Sequence, residues 1–224
     1  ARLDSLRDRL SMFKLRADVT LDDRSGELRV ATLYGDGAGD ALGLSGDAGS
    51  AGAFGGGIAF IDPRLKDAGA RAVLPLEGAA KTLEDAGFKA TDAPEYDRLR
   101  LQLGLPDGSR DLVVEKSTLL ESGFDELNGV DWDKGCYMGQ ELTARTKYRG
   151  LVKKRLVPVI FDGPPPAPET PVMLGEKEAG ELRSSLPADD GGIGLALLRL
   201  DSMAEADETE TALKAGAVTV TPAK

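Results

Sequence analysis

Residues 134–141 read Lys-Gly-Cys-Tyr-Met-Gly-Gln-Glu and hold Cys136, the single cysteine of the chain, between two glycines. Gly135 and Gly139 can adopt positive φ and allow close approach of other groups to the backbone, which would present the thiol rather than bury it. Lys134 and a basic run that follows the motif would stabilise a thiolate, so this segment is the first candidate for a functional site. The basic run comprises Arg145, Lys147, Arg149, Lys153, Lys154 and Arg155.

Each part of this segment also has a simpler interpretation. A free cysteine is usually a small buried apolar side chain, and a run of cations is usually a solvated face that adds little stability. Trp132 and Tyr137 lie beside the thiol in sequence, and they either stack on a flat ligand or belong to the core. One cysteine cannot hold an iron–sulfur cluster alone, because such clusters normally take four protein ligands. A cluster at Cys136 would therefore need ligands from a partner.

The composition excludes several classes of protein. The 224 residues carry a net charge of −10, which argues against broad nucleic-acid binding because phosphate neutralisation needs surplus cations. The chain has no histidine, so it lacks the usual general base and the commonest metal ligand. A structural zinc site, which takes four cysteine or histidine ligands, is excluded. A single cysteine also precludes an internal disulfide, which fits a reducing compartment.

The start of the chain predicts a helix. Apolar residues recur at helical spacing at positions 3, 6, 10 and 13, with no capping residue before them. The sequence begins without methionine, so we expect its true N-terminus to lie upstream. No stretch approaches the roughly 20 apolar residues that span a bilayer, and no signal peptide is visible.

The first 150 residues mix helix and strand patterns. Residues 17–21 and 28–33 are expected to form a hairpin around the turn-rich residues 22–27, and residues 58–61 a buried strand. Helices are expected at 78–86, 94–104 and 116–127, and within 139–148.

The proline-rich stretch at 163–168 marks a change of architecture, because it fits neither a helix nor a central strand. Short apolar runs separated by turns surround it, a pattern typical of a small antiparallel barrel or sandwich; they are residues 151–161, 171–174, 180–185, 193–198 and 218–221. We therefore expect an α+β region at residues 1–150 and an all-β module at residues 151–224.

The motif resembles the signature of the YgfZ-type folate-binding proteins, relatives of the aminomethyltransferase (T-protein) of glycine cleavage that assist iron–sulfur protein maturation. Two runs that follow it complete the pattern, Ala144-Arg145-Thr146 and Tyr148-Arg149-Gly150. The likeness extends to Asp62-Pro63-Arg64, to residues 98–106 and to the β-rich tail. It implies an α+β, T-protein-like fold of ferredoxin-like modules around a folate opening, with a C-terminal antiparallel β-barrel. On that pattern the N-terminal portion of the first module is missing.

The resemblance also implies site residues. T-protein-like enzymes carry Leu-Arg-Leu-Glu-Ala-Gly, whose glutamate contacts folate; residues 99–104 here read Leu-Arg-Leu-Gln-Leu-Gly, with Gln102 in its place. This change implies loss of aminomethyl transfer with retention of the folate scaffold. Cys136 is expected to be the working thiol and a transient iron–sulfur ligand, assisted by Lys134. The residues expected to hold tetrahydrofolate are Gln102, Glu115, Tyr137, Gln140, Glu141 and Arg145.

The expected function is that of a folate-binding accessory factor for assembly or repair of [4Fe–4S] enzymes, which indirectly supports tRNA modification. Its expected partners are a cluster carrier or client [4Fe–4S] enzymes, with neither nucleic acid nor membrane bound directly. The alternatives are a tetrahydrofolate-dependent aminomethyltransferase-like enzyme and a scaffold that binds no folate. The composition suggests a GC-rich bacterial source and hence the cytoplasm; a eukaryotic relative would work in the mitochondrial matrix.

Overall fold

The computed structural model describes residues 2–223. In chain order its elements are α1 (Leu3–Lys14), β1 (Leu28–Leu33), α2 (Ala38–Ala41), β2 (Ala51–Phe54), β3 (Gly57–Ile61), a 3-10 helix (Lys66–Ala68), β4 (Ala70–Pro75), α3 (Ala79–Asp85), α4 (Ala93–Gln102), α5 (Gln140–Tyr148), β5 (Lys154–Phe161), β6 (Pro171–Leu174), β7 (Lys177–Ala188), β8 (Gly191–Arg199), α6 (Leu200–Thr209), β9 (Leu213–Ala215) and β10 (Val218–Pro222).

The first module is a four-stranded antiparallel sheet of order β1-β4-β3-β2. Its buried face is built largely from small side chains: Ala31 and Ala59 both pair with Ala72 on the central strand β4. Because these side chains are small, Leu83 and Phe88 can pack close against the sheet. The opposite face stays open, and Val30 on the edge strand β1 is 60% exposed.

The second module is a closed antiparallel barrel of order β10-β5-β8-β7-β6-β9. Its interior holds large fully buried side chains such as Phe161, Leu182 and Leu198. Closure leaves no free strand edge in the barrel. The predicted fold class, α+β with a C-terminal antiparallel barrel, is confirmed, and the five predicted strands of the tail correspond to β5, β6, β7, β8 and β10. The sequence did not reveal β9 or α6.

A buried ionic network fastens α4 and the loop that follows it to the barrel. Arg100, at the end of α4, is almost fully buried and donates from Nη1 to Asp111 Oδ2 at 2.7 Å and from Nη2 to Ser184 Oγ at 3.1 Å. Ser184 lies on barrel strand β7 and also donates to the carboxylate of Asp111. Asp97 accepts from Arg100 as well. A charge buried in this way is tolerated because each of its donors has a partner.

Two expectations for the first module were wrong. Residues 17–21 form no strand, because no described strand pairs with them; Val19 is about half exposed there. Residues 116–127 form successive turns rather than a helix. Gly123 takes a left-handed φ of 76° in their middle, and the backbone bonds alternate in span, as from Ser122 N to Thr118 O and from Phe124 N to Leu119 O. That irregular ladder cannot continue as an α-helix.

Candidate functional site

The motif segment forms an arm, which we define as residues 130–152. Its first part, up to Gly139, is irregular, and α5 begins directly afterwards, which confirms the helix predicted within residues 139–148. Gly139 adopts a left-handed φ of 86° immediately before α5. Gln140 then folds back, and its Oε1 accepts a hydrogen bond from Tyr137 N at 3.3 Å. The left-handed glycine marks where the loop ends and the helix starts, and this side-chain hydrogen bond ties the last turn of the loop to the first residue of the helix.

Cys136 is exposed on the irregular part of the arm. Of its two flanking glycines, Gly139 has a positive φ, whereas Gly135 is not among the positive-φ glycines. A methyl group built on either glycine would meet no atom within 4 Å. No neighbouring group of the described chain uses the space at these glycines, so their role in close approach to the backbone stays a prediction.

Lys134 lies against an aromatic ring. Its ammonium group sits 4.6 Å from the centroid of Tyr137, a distance at which a cation is attracted to the ring face. Tyr137 is half-buried while Lys134 is exposed, so the pair covers one side of the loop that carries the thiol. The role of Lys134 towards Cys136 stays a prediction.

The base of the arm is held by a cluster of aromatic and ionic contacts. Trp132, before the motif, meets Tyr148 edge-on with ring centroids 6.1 Å apart. Lys147 Nζ lies 5.4 Å from the Trp132 ring and 2.9 Å from Asp125 Oδ2. Arg155, at the start of the barrel, donates to the other oxygen of Asp125 at 2.8 Å. The contacts of Trp132 hold the two ends of the arm together, and the pair of Lys147 with Asp125 joins them to the body.

Asp125 owes its charge state to these cations. Partial burial raises the pKa of this carboxyl, but hydrogen bonds from Arg155 and Lys147 outweigh burial and lower the pKa below its ordinary value. Asp125 is thus ionised throughout the physiological range and links the barrel to α5. Sequence reasoning missed this residue, since nothing local distinguishes Asp125 from the acidic residues around it.

The predicted folate residues divide into two groups. Tyr137, Gln140, Glu141 and Arg145 line one open hollow of about 510 Å³ on the arm, together with Gly139 and Leu142. Gln102 is exposed at the end of α4, and Glu115 is exposed in a loop with a left-handed φ of 64°. Neither Gln102 nor Glu115 lines the hollow. The structure thus brings four of the six residues together.

A second polar cluster lies at the end of β3. The Asp62 carboxylate is almost fully buried and accepts from Arg64 Nε at 3.0 Å, Arg64 Nη2 at 2.8 Å and Arg71 Nε at 3.2 Å. Burial raises the pKa of Asp62, but the hydrogen bonds from Arg64 and Arg71 prevail and lower it to about 2. Arg64 also lines a cavity of about 330 Å³ with Phe124 and other residues. The Asp-Pro-Arg run at a strand end was the sequence signal for this cluster.

Within residues 2–223, no group of three or more histidine, cysteine, aspartate or glutamate side chains is arranged to hold a metal ion. No helix in this range is long and apolar enough to cross a membrane.

Comparison with known proteins adds to this geometry. Residues 153–224, essentially the barrel, match the family model of the CAF17 C-terminal β-barrel domain. The mitochondrial iron–sulfur cluster assembly factor IBA57 of Homo sapiens is 36% identical over 197 residues, which cover 87% of this chain and 53% of that protein. Its Mus musculus counterpart is 38% identical over 144 residues, covering 63% and 39%. An IBA57 homologue of Neurospora crassa is 41% identical over 113 residues, covering 50% and 25%.

The chain spans about half the length of the human protein and less of the other two. The resemblance stated from the motif is thereby supported for the broad family, while the specific YgfZ assignment stays a prediction. The barrel match and the alignment of most of the chain show that this protein is similar to the CAF17 C-terminal β-barrel domain and to proteins named iron–sulfur cluster assembly factor IBA57.

Proposed function

We propose that this protein is an accessory factor for assembly or repair of iron–sulfur clusters in [4Fe–4S] proteins, with Cys136 as its working group. The observation that carries the proposal is the exposed thiol on an anchored arm, in a chain whose relatives are named iron–sulfur cluster assembly factors. A thiolate is the usual protein ligand of such clusters. The single cysteine can therefore donate one ligand to a cluster in transit.

The cluster is cargo in this proposal and needs ligands from a second protein. Iron–sulfur clusters normally take four protein ligands, and the described residues offer one thiol and no cluster of three or more candidate ligands. The remaining ligands would come from a cluster carrier or from the client enzyme. Clients would include the radical enzymes that thiolate tRNA, so that the link to tRNA modification is indirect.

We also propose that tetrahydrofolate binds in the hollow on the arm. Glu141 and the amide of Gln140 offer hydrogen-bond acceptors and donors of the kind a pterin ring needs, and Arg145 offers a cation for the glutamate tail of the folate. Tyr137 presents a ring, of which one side is covered by Lys134. The residues fit a folate in part: Gln102 and Glu115 lie outside this hollow. Bound folate would supply one-carbon chemistry.

The compartment follows from the proposed partners. The relatives compared above are named mitochondrial, and a mitochondrial location suits a factor that serves cluster assembly there. The bacterial cytoplasm predicted from the composition remains the alternative, and a reducing interior is common to both.

Complementation tests the proposal. Cells that lack this protein would receive the full chain as wild type, as Cys136→Ala, or as Ser109→Ala, an exposed residue outside the arm, and the activity of a [4Fe–4S] enzyme would be followed under oxidative stress. We expect wild type and Ser109→Ala to rescue and Cys136→Ala to fail at equal protein level. Equal rescue by all three would remove the thiol from the proposal, and rescue by none would overturn the maturation role.

Folate binding is measured separately by calorimetric titration of the full chain with tetrahydrofolate. We expect Arg145→Met to weaken binding about tenfold through loss of a charge-assisted contact. Lys116→Met, which removes an exposed cation from a loop outside the arm, should bind as wild type does. If titration of the wild type with tetrahydrofolate neither releases nor absorbs heat, the folate site is refuted.

A further inference from the structure

The helix α5 turns one side towards the body and another towards solvent. Thr143, Ala144 and Thr146 are half-buried, and Lys147 reaches Asp125, so this side faces the protein. In contrast, Leu142 is 70% exposed and Met138, four residues before it, is 80% exposed. None of the residues of α5 is fully buried. Leu142 on α5 and Met138 in the loop just before it are thus apolar side chains that residues 2–223 leave largely uncovered, and we call them the apolar stripe.

Two cations continue the stripe. Arg145 and Arg149 follow Leu142 at spacings of three and seven residues, which places all three on one side of the helix. Both arginines are exposed, and within the described range neither forms an ion pair with a carboxylate. We define Met138, Leu142, Arg145 and Arg149 as the outer face. It is a small apolar and cationic surface on a chain of net charge −10.

The outer face is held in place before any partner arrives. Tyr148 meets Trp132, and Lys147 meets both Trp132 and Asp125, all from the inner side of the same helix. A surface that is ordered in advance loses less conformational freedom on binding. The contacts that anchor the arm thus leave the outer face free and oriented.

We propose that the outer face is the docking surface for a protein that presents an apolar patch bordered by carboxylates. Methionine and leucine would contact the patch, and the two arginines would pair with its acidic border. Cys136 lies two residues before Met138, so a protein seated there has its own cluster ligands beside the thiol. The inference rests on the proposed function and names the chemistry of the partner at that site.

The charges argue against a second copy of this chain as the occupant. A twofold contact would bring the same surface of each copy together. Arg145 and Arg149 of both molecules would then meet around one small apolar stripe, and like charges at such close range repel. A partner with an acidic border has no such cost. The small area fits a transient complex rather than a permanent one.

The test uses the full chain and a purified apo iron–sulfur cluster carrier, titrated by calorimetry. We expect Leu142→Ser and Arg149→Glu each to weaken binding about tenfold. The matched controls are Val30→Ser, an exposed valine on the sheet edge, and Lys116→Glu, an exposed cation in a loop; both should bind as wild type does. Wild-type affinity should fall with added salt, and Arg149→Glu should flatten that dependence.

The outcomes separate docking from the proposed function. If Leu142→Ser and Arg149→Glu bind as wild type, or the wild type does not bind the carrier while complementation still requires Cys136, the outer face is wrong and the maturation role stands. If the wild type neither binds nor needs Cys136, both are wrong. If sedimentation shows that the wild type is a dimer and that Leu142→Ser is a monomer, the outer face binds a second copy of this chain instead. A fall in melting temperature with Leu142→Ser, beyond that of Val30→Ser, would show that Leu142 packs within the protein.

Discussion

The barrel and the motif arm lie next to each other in sequence and differ in almost every physical respect. The barrel closes on itself around fully buried side chains such as Phe161 and Leu198. The arm has no fully buried residue from 130 to 152 and holds its position through one aromatic contact and a few ionic ones. Stability therefore lies in the barrel and the sheet, whereas the candidate chemistry lies on a segment that adds little to it. Substitutions in the barrel should therefore lower stability, and substitutions in the arm should affect function while leaving stability nearly unchanged.

The largest effect on folding is expected where the barrel is fastened to α4. Asp111→Ala removes the buried carboxylate that Arg100 and Ser184 share. Breaking a buried ion pair from one side leaves a charge without a partner, so the free energy of unfolding should fall by about 3–5 kcal/mol. Urea unfolding followed by circular dichroism measures this change.

Two control variants sharpen that result. Cys136→Ser, on the arm, should leave the urea midpoint where it is in the wild type. The double variant Arg100→Met with Asp111→Leu should recover much of the loss, because an apolar pair replaces the ionic one. A small effect of Asp111→Ala would mean that α4 is held on the barrel by packing alone.

A smaller effect is expected from Asp62, and it depends on pH. The pKa of Asp62 is about 2 in the folded protein, below the value of about 4 expected when unfolded. Its contribution is therefore fully present above pH 4 and is lost as the pH falls through 2, and it amounts to about 2 kcal/mol. Asp62→Asn should lose this stability at pH 7, and its deficit should vanish as the pH approaches 2.

Asp201 provides the matched control for Asp62. A hydrogen bond from Arg199 lowers the pKa of Asp201 to about 2 as well, but the pair is exposed on the surface. Solvent screens such pairs, so Asp201→Asn should change stability less than Asp62→Asn at pH 7. If both variants lose the same free energy of unfolding, burial of Asp62 does not increase its contribution to stability.

The smallest effect on global stability, and the largest on the arm, is expected for Lys147→Met. The pair with Asp125 is partly exposed, so unfolding should change by about 1 kcal/mol or less. Amide hydrogen exchange should nevertheless accelerate across residues 133–148 while the barrel amides keep their protection. Lys81→Met, which removes an exposed pair with Asp85 on α3, should leave exchange in the arm unchanged. Equal acceleration in the barrel would contradict the separation of the two regions.

The same comparison explains which parts of the structure could be predicted. The barrel strands could be predicted from short apolar runs separated by turns, because that signal is local. Residues 116–127 carry apolar residues at helical spacing, but Gly123 breaks the backbone ladder. Residues 17–21 alternate like a strand and lack a partner strand. A strand needs a neighbouring strand to pair with, and a local sequence pattern does not show whether one is present.

The candidate site shows the same limit. The flanking residues of Cys136 predicted a presented thiol, and it is exposed. The arrangement that positions it could not be read locally, because Asp125 meets Lys147 and Arg155 from 22 and 30 residues away. The hydrogen bond from Arg100 to Ser184 joins residues that lie 84 positions apart in sequence. Such contacts depend on how distant segments pack together, and local sequence patterns do not predict that packing.

The one tryptophan of the chain stands at the base of the arm, against Tyr148 and Lys147. Tryptophan fluorescence of this protein therefore reports on the arm and not on either hydrophobic core. A spectroscopist who follows Trp132 during denaturation would see the arm detach, and ellipticity would track the barrel, so the two curves need not coincide. The protein thus carries its own label at the segment that is expected to meet other molecules.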